Sequence, residues 1–241
     1  MPRFYLQQPL ALGDVVELPS ALAHHVLVLR MQAGAYITLF NGEGGEYTAT
    51  VRSISGKAVS VEIKAFSPRE VELPYAITLA QALPEASKMD WIVEKAAELG
   101  AAAVQPLAAQ RCIVRLSAER AAKRLHHWQA IAVSAAEQCG RNRIMPVASV
   151  MSVNEYVAQQ DLHLRLLLSP DADMTLAQWA RHQPPRCVTL LVGPEGGFNA
   201  AEQESAAAHG VLALGLGTRI LRTETAGLAA LAALNAIWGE M

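Results

Sequence analysis

The sequence predicts an α/β protein in two parts, a small strand-rich domain over residues 1–70 and a parallel-sheet domain over residues 74–241. Up to about residue 66 strand follows strand, whereas after residue 74 short apolar strands alternate with amphipathic helices, the pattern of parallel strands joined by crossovers. The stretch between them, Ser67-Pro68-Arg69-Glu70-Val71-Glu72-Leu73-Pro74, is polar and bracketed by prolines, as linkers are. Near the carboxyl end, residues 188–202 and 211–226 each run from an apolar strand through a glycine loop into a helix start. Turns at the carboxyl ends of strands are where open α/β sheets bind ligands.

In the first part, strands are expected at 3–6, 15–18, 36–40, 47–54 and 58–66. Thr48, Thr50 and Arg52 alternate with Ala49, Val51 and Ser53, and Val59, Val61 and Ile63 alternate with Ser60, Glu62 and Lys64. That period of two marks half-buried strands and suggests a small barrel. Asn41-Gly42 and Glu43-Gly44-Gly45 supply turn chemistry, and Ser55-Gly56 closes a hairpin. One helix, 20–29, interrupts the strands.

Past the linker, residues 76–81 read as a strand. Ser87-Lys88-Met89-Asp90 forms a capping box for a helix whose apolar face is Met89, Ile92, Val93, Ala96 and Leu99, ended by Gly100. A strand at 103–106 follows. Ser117 caps a long helix running to about residue 138, with Leu125, Trp128, Ile131, Ala132 and Ala135 on one side. His126 and His127 are adjacent on that helix, so they point apart and cannot form a same-face metal pair.

Ser152 and Glu155 form a second capping box. A strand at 162–168 ends at Ser169-Pro170, a third loop at a strand's carboxyl end. Residues 188–192 are the continuous apolar run of a strand buried on both faces, stopped by Gly193-Pro194. Asn199 and Glu202 then cap the next helix, and Thr223 or Thr225 opens the last, which carries Leu228, Leu231, Leu234 and Ile237.

The composition, 52% hydrophobic and 17% charged over 241 residues, is that of an ordinary globular chain. A net charge of −2 excludes nucleic-acid binding by bulk charge, yet leaves room for a local basic segment. Between 111 and 143, Arg111, Arg115, Arg120, Lys123, Arg124, Arg141 and Arg143 outnumber Glu119 and Glu137. Cys112, Cys139 and Cys187 have no metal-type spacing and suit a reducing compartment, and no apolar run reaches membrane length. A cytoplasmic, metal-independent protein is therefore expected. Gly215-x-Gly217 is followed by Ile220 where the dinucleotide fingerprint needs a third glycine, and neither glycine loop ends in Gly-Lys-Ser/Thr.

Gly193-Pro194-Glu195-Gly196-Gly197, then Leu214-Gly215 and Ile220-Leu221-Arg222-Thr223-Glu224-Thr225-Ala226, resemble the paired cofactor loops of the SPOUT (α/β-knot) methyltransferases. Within them the chain is most similar to the 16S ribosomal RNA uracil-N3 methyltransferase family. The likeness includes residues 88–100, 135–143 and a weaker echo at His25-x-x-x-Leu29-Arg30-Met31. It implies a trefoil-knotted parallel-sheet domain preceded by a PUA-like β-barrel that helps hold RNA, a homodimer, and S-adenosylmethionine held between the two loops. The cofactor residues so implied are Leu168, Gly193, Glu195, Gly196, Leu214, Gly215, Leu216, Ile220, Leu221, Arg222, Thr225 and Ala226.

Methyl transfer to uracil N3 needs in-line approach and loss of the ring proton, so positioning and stabilisation of an anionic base are the tasks to fill. Arg222, Glu195 and Glu224 are the candidate catalytic residues. Arg3, Arg30, Arg111, Arg141, Asn142 and Arg143 are the candidate RNA contacts, and no metal site is expected. Two other readings are an SPOUT enzyme acting on transfer RNA and a non-catalytic RNA-binding protein of ribosome assembly.

Overall fold

A computed structural model describes residues 1–85, 87–160 and 163–239. The chain divides into two compact units, one of Met1–Glu72 with Ala136–Ile144 and one of Leu73–Ala135 with Met145–Met241. The cut after Glu72 falls within the proline-bracketed stretch. The inclusion of residues 136–144 in the first unit is a departure from the expected boundaries of 1–70 and 74–241.

The first unit contains β1 (Arg3–Tyr5), β2 (Val15–Glu17), α1 (Ser20–Val28), β3 (Tyr36–Phe40), β4 (Glu46–Ser55) and β5 (Ala58–Ser67). The strands form one sheet in the order β1-β3-β4-β5-β2, with β1–β3 parallel and the other pairs antiparallel. The period of two is visible as burial: Ala49, Val51, Val59, Val61 and Ile63 are fully buried while Arg52 and Lys64 are exposed. Register slips between Thr48 and Ala49 and between Val51 and Ser53 interrupt the β4–β5 ladder. Such bulges bend and twist a strand, which lets a short sheet curl about a core of Phe4, Val26, Ile37 and Leu39.

The second unit contains β6 (Ile77–Ala82), α2 (Lys88–Glu98), β7 (Ala103–Ala108), β8 (Met151–Ser152), α4 (Val153–Ala158), β9 (Leu164–Leu168), α5 (Leu176–Arg181), β10 (Val188–Val192), α6 (Ala200–Ala208), β11 (Leu212–Leu214) and α7 (Thr223–Trp238). Helix α3 (Ala118–Cys139) gives this unit's core Trp128, Ala132 and Ala135. The sheet is parallel throughout, in the order β11-β9-β10-β6-β7-β8. All five residues of β10 are buried, as the continuous apolar run requires.

On α2, the expected face of Met89, Ile92, Val93 and Ala96 is buried. Each such side chain is worth about 1.5–3 kcal/mol of burial if of Val or Ile size. Helix α7 lies against β6 and β10 at Gly227, where a Cβ would stand 2.8 Å from Leu79 Cδ1 and 3.3 Å from Val192 Cγ2. Only glycine allows that approach without displacing the core. No helix among the described residues is long and apolar enough to cross a membrane.

Several local expectations change. Ser87 makes no side-chain cap to α2; the amide of Glu85 instead donates to the Glu195 carboxylate at 3.0 Å. The Asp90 amide bonds the Ser87 backbone carbonyl at 3.0 Å in place of its side chain. Helix α5 was not foreseen, although Thr175 and Gln178 form a complete capping box. Six residues are too few for a periodic apolar signal to stand out. Strand β9 starts at Leu164, and Leu162 lies outside the described residues. The boxes at Ser152/Glu155 and Asn199/Glu202 form as read.

Candidate active site

The loops after β9, β10 and β11 border one cleft of about 610 Å³, within the roughly 300–1,000 Å³ of small-molecule sites. Their contributions differ in how firmly they are held.

The loop after β10 is fixed at almost every residue. A Cβ on Gly193 would lie 3.1 Å from Gly197 Cα and from the Phe198 amide nitrogen, so a side chain here would press the turn's own backbone apart. The Gly193 carbonyl accepts a bond from Thr223 Oγ1 at 2.5 Å, and Thr223 Oγ1 accepts from Gln81 Nε2 at 2.9 Å. This buried chain runs from β6 through the first residue of α7 into the loop. Gly196 offers its carbonyl to Arg111 Nη1 at 2.8 Å, Gly197 takes a positive φ of 67°, and Phe198 is buried. Asn199 then caps α6, with reciprocal bonds of 2.8 and 2.9 Å to Glu202.

The loop after β11 is the opposite. Gly217 has φ 102° and nothing near its Cβ position, Ile220 is 84% exposed, and the Arg222 side chain is 82% exposed. Arg222 serves as N-cap of α7 by backbone alone, without a side-chain cap bond. Its Nη1 lies 4.0 Å from Glu224 Oε1. Ser169, Pro170 and Asp171, after β9, complete the rim.

Lys88, the first residue of α2, reaches between two carboxylates: its Nζ is 2.9 Å from Glu195 Oε1 and 3.5 Å from Glu224 Oε2. Burial alone would raise the Glu195 carboxyl, but the Glu85 amide and the Lys88 ammonium outweigh it and hold the group below the usual carboxylate range. The bond to Glu195 in turn raises Lys88 above an ordinary lysine. Glu224 Oε2 is buried without a well-formed hydrogen bond, 3.5 Å being ion-pair contact only. Glu195 is thus tied down more firmly than Glu224, which meets Lys88 only at ion-pair distance.

Of the residues expected to hold a cofactor, Leu168, Gly193, Glu195, Gly196, Leu216, Ile220, Leu221, Arg222 and Ala226 line the cleft. Leu214, Gly215 and Thr225 are not among the lining residues. The Leu214 carbonyl accepts the Ser169 amide at 3.0 Å, and Gly215 exchanges backbone bonds of 2.8 Å with Met174 and Leu176. These two hold the rim's frame. Thr225 is an exposed first-turn residue whose amide bonds the Arg222 carbonyl at 2.9 Å.

The expected RNA contacts scatter. Arg111 lines the cleft. Arg141 is buried and gives Glu72 bonds of 3.0 and 2.5 Å, and Asn142 is fully buried and bonded to the Arg69 carbonyl at 2.6 Å. Arg3 spends its donors on Glu46, on the Arg141 carbonyl at 2.9 Å and on Asn142 Oδ1 at 2.6 Å. This network holds residues 136–144 within the first unit. Arg30 and Arg143 are exposed, Arg143 with a loose 3.8 Å ion pair to Glu70.

Sequence reasoning missed Lys88, Gln81 and Thr223 as site residues. One signal was available for Lys88: a lysine in the first turn of a helix opposes the helix dipole and needs a local reason. Among the described residues, no group of three His, Cys, Asp or Glu side chains could hold a metal ion.

Comparison with known proteins adds to this geometry. An RNA methyltransferase domain family matches residues 71–235 and an RNA methyltransferase PUA domain family matches residues 18–64. Ribosomal RNA small subunit methyltransferase E of Bacillus subtilis is 32% identical over 98% of this chain and 96% of its own. The crystal structure of ribosomal RNA small subunit methyltransferase E from Neisseria gonorrhoeae, bound to S-adenosyl methionine, is 39% identical with a TM-score of 0.91, covering 99% of this chain and 98% of that one. A Legionella pneumophila methyltransferase in complex with SAM is 38% identical, also with a TM-score of 0.91, over 97% of this chain and 96% of that one.

Proposed function

The chain belongs to the ribosomal RNA small subunit methyltransferase E family, and from that premise we propose that it transfers a methyl group from S-adenosylmethionine to N3 of a uridine in small-subunit ribosomal RNA. The observation that carries this reading is the cleft itself, where a fixed glycine loop and an exposed apolar loop face one space of about 610 Å³. The residues present fit the donor. Exposed Ile220 and half-buried Leu221 supply apolar surface for a base, the loop backbones supply hydrogen-bonding groups, and the acidic side chains suit a cationic ligand. Bound there, the donor supplies a sulfonium-activated methyl group.

The chain's own residues then divide the work. Gly193, Glu195, Gly196 and Leu216 orient the donor, with Leu214, Gly215 and Thr225 framing the loops around Leu168 and Ala226. Arg222, whose guanidinium is solvated and weakly paired, offsets the negative charge that develops on the uracil ring as N3 loses its proton. Glu224 takes that proton, because Glu195 is already committed to the Glu85 amide and the Lys88 ammonium. Arg30, Arg111 and Arg143 contact the RNA backbone, while Arg3, Arg141 and Asn142 act by shaping the first unit.

The proposal extends to a trefoil-knotted second unit, a homodimer and a cytoplasmic location. The knot is supported by the strand order, in which the chain returns from the outer β8 to β9 and then inserts β10 between β9 and β6. The decisive experiment is nucleoside mass spectrometry of ribosomal RNA from cells with and without the protein, with purified transfer RNA as a parallel substrate. Loss of 3-methyluridine from small-subunit RNA is expected; an unchanged nucleoside profile, or methylation of transfer RNA alone, refutes it.

A further inference from the structure

The lysine at the start of α2 is placed where a helix disfavours a cation, because the first-turn amides carry partial positive charge. Two carboxylates compensate for it, and both come from elements that wall the cleft. Glu195 belongs to the loop after β10, and Glu224 is the second residue of α7, directly after the exposed loop. The Lys88 ammonium stands 2.9 Å from one and 3.5 Å from the other. The same oxygen of Glu195 also receives the Glu85 amide at 3.0 Å, so the tie is anchored to the backbone ahead of α2.

The Gln81–Thr223–Gly193 hydrogen bonds join the same loop to the same helix. The loop after β10 is thus joined twice to the first turn of α7, once by a buried neutral chain and once by a single ammonium. Without that ammonium, Glu195 and Glu224 face one cleft as two carboxylates of like charge, and both repulsion and lost hydrogen bonding favour their moving apart.

We infer that Lys88 is a positioning residue for the methyl donor, bridging Glu195 and Glu224 so that both cofactor loops stand at one separation. The inference rests on the functional reading above and deepens it. Its effect falls on donor affinity, because the loops must be drawn together at the moment of binding if they are not held beforehand.

The experiment compares wild type, K88M, K88R and E195Q by calorimetric titration with S-adenosylhomocysteine. That ligand lacks the sulfonium charge and is a net-neutral zwitterion, so its affinity reports loop position without the sulfonium's attraction to the extra negative charge of K88M. K88M is expected to weaken binding about tenfold, K88R to remain within about threefold of wild type, and E195Q to weaken binding in the same direction as K88M. Methyl-transfer kinetics of K88M are expected to show a raised KM for S-adenosylmethionine that returns toward the wild-type value in K88R.

K88M affinity within twofold of wild type overturns the inference, as does K88R being as weak as K88M. If K88M does not fold, E195Q decides alone: unchanged affinity there is equally fatal. A wild-type protein that binds neither ligand would instead refute the functional reading, which keeps the two failures apart.

Discussion

The two glycine loops that border the cleft look alike in sequence and differ sharply in structure. The loop after β10 is held by the Gln81–Thr223 chain, by Lys88 and Glu85 through Glu195, by Arg111 through Gly196, and by a buried Phe198. The loop after β11 carries Arg219, Ile220 and Arg222 to the surface with little to hold their side chains. The fixed wall contributes preorganisation, since its backbone groups need no rearrangement to meet a ligand. The open wall contributes exposed side chains only loosely held, Arg222 by a 4.0 Å ion pair to Glu224.

The sharpest test removes the open wall's charge. Arg222→Ala is expected to lower kcat about 100-fold or more, the scale of losing one charge-stabilising donor, with an unchanged melting temperature because the side chain is 82% exposed. A loss of activity explained by unfolding would erase the contrast between the walls.

Next in size is the fixed wall. Gly193→Ala places a methyl against backbone at 3.1 Å, so stability should fall by about 1–3 kcal/mol together with donor affinity. Retention of both, measured by denaturant titration and calorimetry, would show that this wall is not rigid.

Ile220→Ser should do the reverse, changing stability by no more than about 0.5 kcal/mol while weakening donor binding severalfold through lost apolar contact.

The smallest expected effect is that of pH. Glu195, with its folded pKa lowered, contributes stabilisation present above its unfolded value and lost as pH falls through the folded one. Lys88, with its folded pKa raised, contributes fully below its unfolded value and loses the contribution as pH rises through the folded one. The tie is therefore whole between the two, and donor affinity should stay flat from about pH 6 to 9, declining on acidification below about pH 4.5 and again on alkalinisation beyond the ordinary lysine range. A midpoint near neutrality in the affinity profile would exclude this pair as its source.

How much of this could be read beforehand depends on the range of the interaction. Alternation in β4 and β5, the apolar face of α2 and the capping boxes at Ser152 and Asn199 involve neighbours in the chain, and each was legible. So was the pairing of glycine loops at the ends of strands, because a tight turn into a helix restricts which residues can stand there. Arg141 and Arg222 mark the other limit. Arg141 is expected as an RNA contact and Arg222 as a catalytic residue, and nothing local in the sequence tells that Arg141 is buried on Glu72, 69 residues away, while Arg222 stands in solvent.

Nor does any local pattern tell that Lys88 meets Glu195, 107 residues on, or that the Glu85 amide donates to the same carboxylate. By itself the chain determined its elements, its two-part plan and the loops where a ligand is to be sought, since periodicity, turns and caps act over a few residues. Only the tertiary structure decided which charges are spent on the fold and which stay free for chemistry. That outcome depends on burial and on partners brought together from distant strands and helices, and the free energy of a charged group is set by those surroundings far more than by its neighbours in sequence.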